Sequence, residues 1–383
     1  MQGPNDYIPF VISRWIGGTF GSATVVVGAG TILEVFFLHQ RGRAFVSYTI
    51  ATLLGNVMAP TISGFIVENN DWPVQYWWTI GVQAVLVICA FLFLGETHYD
   101  AEDRGSHYRP RSWINGRIAT FFPGSRVAPK DVRKRNSKFA AFLIAICPVT
   151  MLAGTFLLTS FGFAIAIATL SSIYLQTPVE LGGYGFTPLQ NALFTFAAWV
   201  GLGAAFIYSA NVNDRVPLWM CRRNGGVWKP EHRIWPLITL PCVFLPVALG
   251  LFGASLQYHL HYMVLALSIF LINFCEIALV PLIVNYTVEG FTSHGPEVIT
   301  VLFCYRNVLA LTIPFFIEAW TAAVGVGWVF GMMAFFSLLS FTIPFLLVWQ
   351  GEAIRELSFG RLRKAEDGVV VEEAPLRHGD EAT

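Results

Sequence analysis

The chain has 383 residues, of which 55% are apolar and only 13% charged, against about 25% charged in an ordinary soluble domain. Mean hydropathy is +0.58, and 24 basic residues balance 24 acidic ones. These figures exclude a soluble enzyme, a disordered chain and a nucleic-acid binder with a basic footprint, and leave lipid as the solvent.

Apolar stretches of about 20 residues, long enough to cross a bilayer core, recur nine times, at 8–36, 44–66, 76–95, 141–172, 187–209, 234–255, 261–283, 299–321 and 327–349. They are rich in glycine and β-branched residues and lack period-2 alternation, which predicts helices rather than barrel strands. The expected fold is all-α, a polytopic membrane protein of about nine transmembrane helices. The first span opens on Arg14-Trp15-Ile16-Gly17-Gly18 and is followed by Arg41-Gly42-Arg43-Ala44. Glu34, near its inner end, is expected to meet Arg41 or Arg43. The second span contains Gly55-Asn56-Val57-Met58-Ala59-Pro60-Thr61-Ile62-Ser63-Gly64 and closes on Asp71-Trp72; the third ends at Gly95-Glu96-Thr97. Residues 97–138 are polar, basic and dotted with proline. They read as a linker between a three-span block (1–96) and a six-span block (139–350). Pro148 is expected to kink the fourth span or to mark a start lying in the interface. Thr187-Pro188 pairs an N-cap with a proline at the first helical position of the fifth. Asn213-Asp214-Arg215 follows that span, and Pro230-Glu231-His232-Arg233 precedes the sixth. The tail, 351–383, is charged and expected to be largely disordered.

Basic residues set the orientation. Of the 24, 22 fall in alternate connections and the tail: Arg41 and Arg43, ten between Arg104 and Lys138, five from Arg215 to Arg233, and five from Arg355 to Arg377. The intervening connections carry none. By the positive-inside rule these segments and the C-terminus face the cytoplasm, and nine spans then place the N-terminus outside.

Arg14 and Arg306 are the two basic residues inside spans. A charge at mid-membrane costs at least about 2.5–3.5 kcal/mol on insertion scales, so each needs a reason. Glu276 and Arg306 lie at equal depth on consecutive helices, roughly 10 Å from the inner side. This suggests either a standing ion pair or a titratable, gating one. Asn191, Trp199, Tyr208, Asn273, Tyr305 and Asn307 are candidates to line a substrate cavity, although packing explains any one of them as well. The small residues Gly55, Ala59, Ser63 and Gly64 form one smooth helix face on which a neighbour's backbone can approach, and Pro60 removes a backbone hydrogen bond there.

Taken in order, these motifs resemble the major facilitator superfamily, and within it the fungal drug:proton antiporter type. The family pattern R-x-x-q-G matches Arg14 and Gly18, with Gly17 in the glutamine position. The antiporter pattern G-x-x-x-G-P-x-x-G-G matches Gly55, Pro60 and Gly64, with Ala59 and Ser63 in place of glycines, and the D-R pair matches Asp214-Arg215. The resemblance runs from residue 8 to about 355. It implies two helical bundles joined by a cytoplasmic loop, with the nine spans standing for the family's helices four to twelve. In that register the chain is expected to be clipped or degenerate rather than a complete nine-span transporter. The resemblance also implies a proton-coupling role for Arg14, acting on a neighbouring acid.

The absence of GxxxxGK[ST] argues against ATP as energy source, and the absence of H-E-x-x-H and G-x-S-x-G against two common hydrolase chemistries. Six cysteines without CxxC spacing predict neither a disulfide nor a metal site. The expectation is a monomer in the plasma membrane, with no cofactor, no enzyme activity and no nucleic acid as partner. It exports small amphipathic organic compounds, drugs or secondary metabolites, against protons by alternating access. The alternatives are a proton-coupled importer of sugars or organic acids, and a truncated remnant that transports nothing.

Overall fold

The computed structural model describes residues 7–36, 38–71, 73–93, 140–213, 215–291 and 295–373. The expected basic linker, 97–138, lies outside the described residues, as do Asp214 and the side chains of Glu34, Arg41 and Arg43. Thirteen α-helices are present among the described residues: α1 (Tyr7–Val35), α2 (Leu38–Asn69), α3 (Val74–Phe93), α4 (Ala140–Ile146), α5 (Pro148–Gln176), α6 (Pro188–Phe194), α7 (Phe196–Val212), α8 (Arg215–Arg223), α9 (Leu240–Gln257), α10 (Tyr262–Gly290), α11 (Gly295–Val324), α12 (Val326–Ser340) and α13 (Thr342–Glu373). No strand occurs among them. Eight helical segments are long and apolar enough to cross a membrane, and these coincide with the second to ninth expected spans. The first expected span is α1, a continuous helix of 29 residues.

Helix is forced here because a bilayer offers backbone groups no other partner. Hydroxyls in the spans follow the same rule by bonding carbonyls of their own helix. Thr61 Oγ1 donates to Val57 O at 2.9 Å and Ser160 Oγ to Phe156 O at 2.6 Å. Prolines punctuate the rest. Pro148 does not kink a continuous helix; it starts a new one, with Cys147 in extended geometry before it, as the steric demand of a following proline requires. Thr187 caps α6 through a capping box with Gln190. The fifth span then breaks at Thr195 into α6 and α7. At the other boundary, α13 continues past residue 351 to Glu373, so the expected tail begins as helix.

Packing is uneven along the chain. The six-span block is a dense core in which α5 pairs with α11, α9 with α12, and α10 with α7 and α9. Three of these pairings are close because a glycine faces the neighbour. A methyl group on Gly154 would stand 2.6 Å from the Tyr305 ring, one on Gly201 2.6 Å from Phe270 O, and one on Gly253 2.5 Å from Phe330 Cβ. Every side chain of α10 from Phe274 to Val288 is buried. By contrast α3 buries none of its residues.

One end of the six-span block carries the basic residues. Two short 3₁₀ turns, Pro230–Arg233 and Trp235–Ile238, lead into α9 there. Arg233 pairs with Glu289 at the end of α10. Arg355 Nη2 of α13 lies 2.6 Å from Glu231 Oε1, and Lys229 Nζ lies 2.9 Å from Glu352 Oε2. The first two pairs are buried and the third is exposed. The turns thereby fasten the starts and ends of α9, α10 and α13 together.

Candidate functional site

The three N-terminal helices meet the six-span block chiefly through α2, which packs on α6, α7 and α10. Within the α2 stripe of small residues, Gly64 is the position that meets a neighbour's backbone. A methyl group there would lie 2.6 Å from Ala192 Cβ and 3.0 Å from Pro188 O of α6. Gly55 has nothing within 4 Å of the same construction, and Ser63 Oγ donates to Gln75 of α3. Ala59 is exposed and Pro60 half-buried. The stripe is thus not one contact face: Gly64 meets the six-span block, Ser63 bonds α3 and Gly55 meets neither.

Polar contacts reinforce this seam. The Thr61 hydroxyl is hydrogen-bonded to that of Thr195, at the break between α6 and α7, and accepts Trp199 Nε1–H at 3.1 Å. Glu68 Oε2 accepts the Leu189 backbone N–H at 3.1 Å, which places a carboxylate on one of the free N–H groups that open α6. Three hydrogen-bonded links therefore cross from α2 to α6 and α7 within two turns.

Nearer the basic end, the same face of α2 opens. Tyr48, Thr49, Thr52 and Leu53 of α2, Val280, Pro281 and Val284 of α10, and Phe303 and Arg306 of α11 line a narrow cleft that is open on one side. Pro281 cannot donate to the α10 ladder, so a carbonyl of that helix is released beside the cleft. The Arg306 guanidinium lies between two rings, 4.3 Å from the Phe161 centroid and 4.2 Å from that of Phe303. Its Nε is buried and has no hydrogen-bond partner.

Glu276 is buried on α10, one turn from Val280. Its charge and that of Arg306 interact, but no ion pair or hydrogen bond joins the two side chains. The expected direct pair is therefore not formed. Equal depth fixed the height of the two groups, while the aromatic sandwich turns the guanidinium along α5 and α11.

The other residues singled out in the sequence are dispersed. Arg14 is exposed, donates to Tyr76 Oη at 2.7 Å and stacks on the Tyr76 ring at 4.9 Å. Asn191 Nδ2 donates to Ser172 Oγ at 3.3 Å, with Asn191 Oδ1 left buried and unbonded. Asn273 turns back to its own helix at Ile269 O, 2.8 Å. Tyr305 packs over Gly154 and donates to Ala145 O at 3.1 Å, away from the cleft. Tyr208 bonds the Thr239 hydroxyl at 2.6 Å, and Asn307 bonds Phe303 O at 2.8 Å. Arg215 is exposed at the start of α8. Trp199 alone among the six cavity candidates bonds across the seam with α2. Sequence reasoning missed Tyr48, Thr49 and Thr52 in the cleft and Thr61 and Thr195 in the seam. The one signal for the first three is their run of hydroxyls on α2 at spacings of three and four; Thr61 and Thr195 carry none.

The family model described as Major Facilitator Superfamily matches residues 3–309. The chain belongs to the major facilitator superfamily. Among curated relatives, this chain is 26% identical over 344 residues to the efflux pump radE of Floropilus chiversii, an overlap of 89% of this chain and 63% of that protein. It is 23% identical over 358 residues to the MFS-type transporter hepF of Aspergillus oryzae, covering 90% of this chain and 69% of hepF. With the MFS-type transporter tndD of Aspergillus flavipes it shares 24% identity over 377 residues, 94% of this chain and 65% of tndD. The chain thus spans about two thirds of the length of the curated relatives it matches. No solved structure matches it significantly.

Proposed function

We propose that this transporter exports small amphipathic organic compounds, such as drugs or secondary metabolites, in exchange for protons. α1–α3 rock against the six-span block about the α2 seam, in the manner of alternating access. The observation that carries the mechanism is the junction of a tight seam at Gly64 with an open, cation-bearing cleft on the same helix. Rocking about the seam changes access to the cleft. The direction rests on the Pro60 motif and on the similarity to the efflux pump radE. Arg306 and Glu276 act as gating charges at the cleft, and the basic end faces the cytoplasm of a plasma membrane, by the segregation of lysine and arginine.

Cells expressing the transporter are expected to accumulate less of at least one hydrophobic compound in a broad panel, and collapsing the proton gradient is expected to abolish the difference. Unchanged accumulation across the panel refutes export. A second reading, proton-coupled uptake of an organic acid, is favoured by one observation, the cation without a counter-ion in the cleft. Uptake that rises with an inward proton gradient selects it.

A further inference from the structure

We infer that the α2–α10–α11 cleft takes an organic anion with an aromatic or otherwise flat apolar body, and that Arg306 is the residue that recognises its carboxylate or phenolate group. The inference rests on reading this cleft as part of the transport route, but holds for either direction of transport.

Four features of the cleft point to that ligand. First, Arg306 is held by ring faces at 4.2 and 4.3 Å rather than by a carboxylate. Cation–π contacts fix its orientation while leaving its N–H donors uncommitted. Second, a buried donor with no acceptor is costly, and its Nε is such a donor. A ligand oxygen removes that cost, and a guanidinium fork matches a carboxylate with two parallel hydrogen bonds. Third, the remaining wall is apolar (Leu53, Val280, Pro281, Val284, Phe303) with hydroxyl residues on one side (Tyr48, Thr49, Thr52). An apolar wall with a few convergent polar groups suits a small organic ligand. Fourth, among the described residues no acidic side chain lines the cleft, and Glu276, one turn from Val280, makes no ion pair with Arg306, so an organic cation would meet Arg306 directly.

Glu276 sets the sign of a linkage. An anion on Arg306 and an ionised Glu276 draw on the same positive charge, so the anion binds best when Glu276 is neutral. Proton and anion then bind together at this pair. A proton exchanged against the substrate must be carried by another group, which assigns Glu276 to gating.

Three matched probes test the inference on the purified full chain in lipid nanodiscs: 2-naphthoate, its neutral amide 2-naphthamide and the cation 2-naphthylmethylammonium. Binding of radiolabelled 2-naphthoate is measured by scintillation proximity, with the other two as competitors. The carboxylate is expected to bind at least about 10-fold tighter than the amide, about 1.4 kcal/mol, and the cation more weakly still. Arg306→Gln is expected to remove that preference, Arg306→Lys to keep part of it, and Glu276→Gln to tighten carboxylate binding severalfold. Equal binding of carboxylate and amide to the unaltered protein overturns the inference and needs no variant. No binding of the carboxylate at millimolar concentration overturns it as well, as does a folded Arg306→Gln protein that keeps full charge preference. If charge selectivity is found while the accumulation assay shows no export, the direction of transport falls and the ligand class stands.

Discussion

Gly64→Ala isolates the seam between α2 and α6. The added methyl group would stand 2.6 Å from Ala192 Cβ, where ordinary contact begins at 3.4 Å, so the two helices must part by about 0.8 Å. A side-chain methyl cannot rotate out of the way, and the Pro188 carbonyl at 3.0 Å blocks the other side. Overpacking of this kind costs about 1–3 kcal/mol, and alanine regains up to about 1 kcal/mol of helix propensity. The net expectation is a destabilisation of up to about 2 kcal/mol, with the separation falling where Thr61, Thr195 and Trp199 are bonded across the seam. Thermal unfolding of the detergent-purified protein, followed by tryptophan fluorescence, measures the loss. Two controls sharpen it. Gly55→Ala has open space around the new methyl group and is expected to be neutral or slightly stabilising. Ala192→Gly added to Gly64→Ala removes the closest contact but not the carbonyl, and is expected to restore most of the lost stability. Indistinguishable melting of the Gly55 and Gly64 variants would refute the account of the stripe.

At the basic end, Arg355→Met leaves Glu231 as a buried charge and is expected to cost about 3–5 kcal/mol, with Glu231→Gln/Arg355→Met recovering part of it. The exposed partner pair behaves differently: Lys229→Ala is expected to leave melting nearly unchanged, because water screens the charges. His232 accepts the Lys229 backbone N–H at its Nδ1, 3.3 Å, and lies edge-on to Trp228. Burial holds its pKa below the ordinary value near 6.5, opposed by Glu231 and aided by Lys229. The neutral ring is therefore the folded form. Stability present above about pH 6.5 is lost as pH falls through that value towards the depressed folded pKa, and His232→Gln is expected to flatten this slope in pH-dependent melting. Trp199→Phe deletes the 3.1 Å bond to Thr61 and is expected to cost about 1 kcal/mol, with a larger proportional effect on transport than on melting.

What the sequence disclosed about this fold was its axial content. Hydropathy runs located the spans, Thr187-Pro188 marked the start of α6, and Pro148 marked a boundary, because each signal is carried by neighbours in the chain. What it withheld was rotation about each helix axis. Glu276 and Arg306 share a depth, yet successive residues turn by about 100° around a helix, and the ring faces of Phe161 and Phe303 fix where the guanidinium points. The same gap separated Arg306, which faces the cleft, from Tyr305 beside it, which packs on α5. The break at Thr195 escaped notice for another reason: an apolar run reads the same whether one helix or two fill it. The Pro230–Arg233 segment was visible as a motif, but its partners Glu289 and Arg355 lie 56 and 124 residues away from Arg233 and Glu231, beyond any local pattern.

The uneven burial of the two blocks bears on how this protein tolerates change over generations. α3 buries none of its residues, so away from Gln75 and Tyr76, which bond to α2 and α1, one apolar residue there serves nearly as well as another, and the helix is free to drift in sequence. α10, enclosed along most of its length, has no such latitude, since each replacement must match its neighbours in volume. Variation within a population is accordingly expected to pool in the first hundred residues and thin out towards the helix at the centre of the assembly.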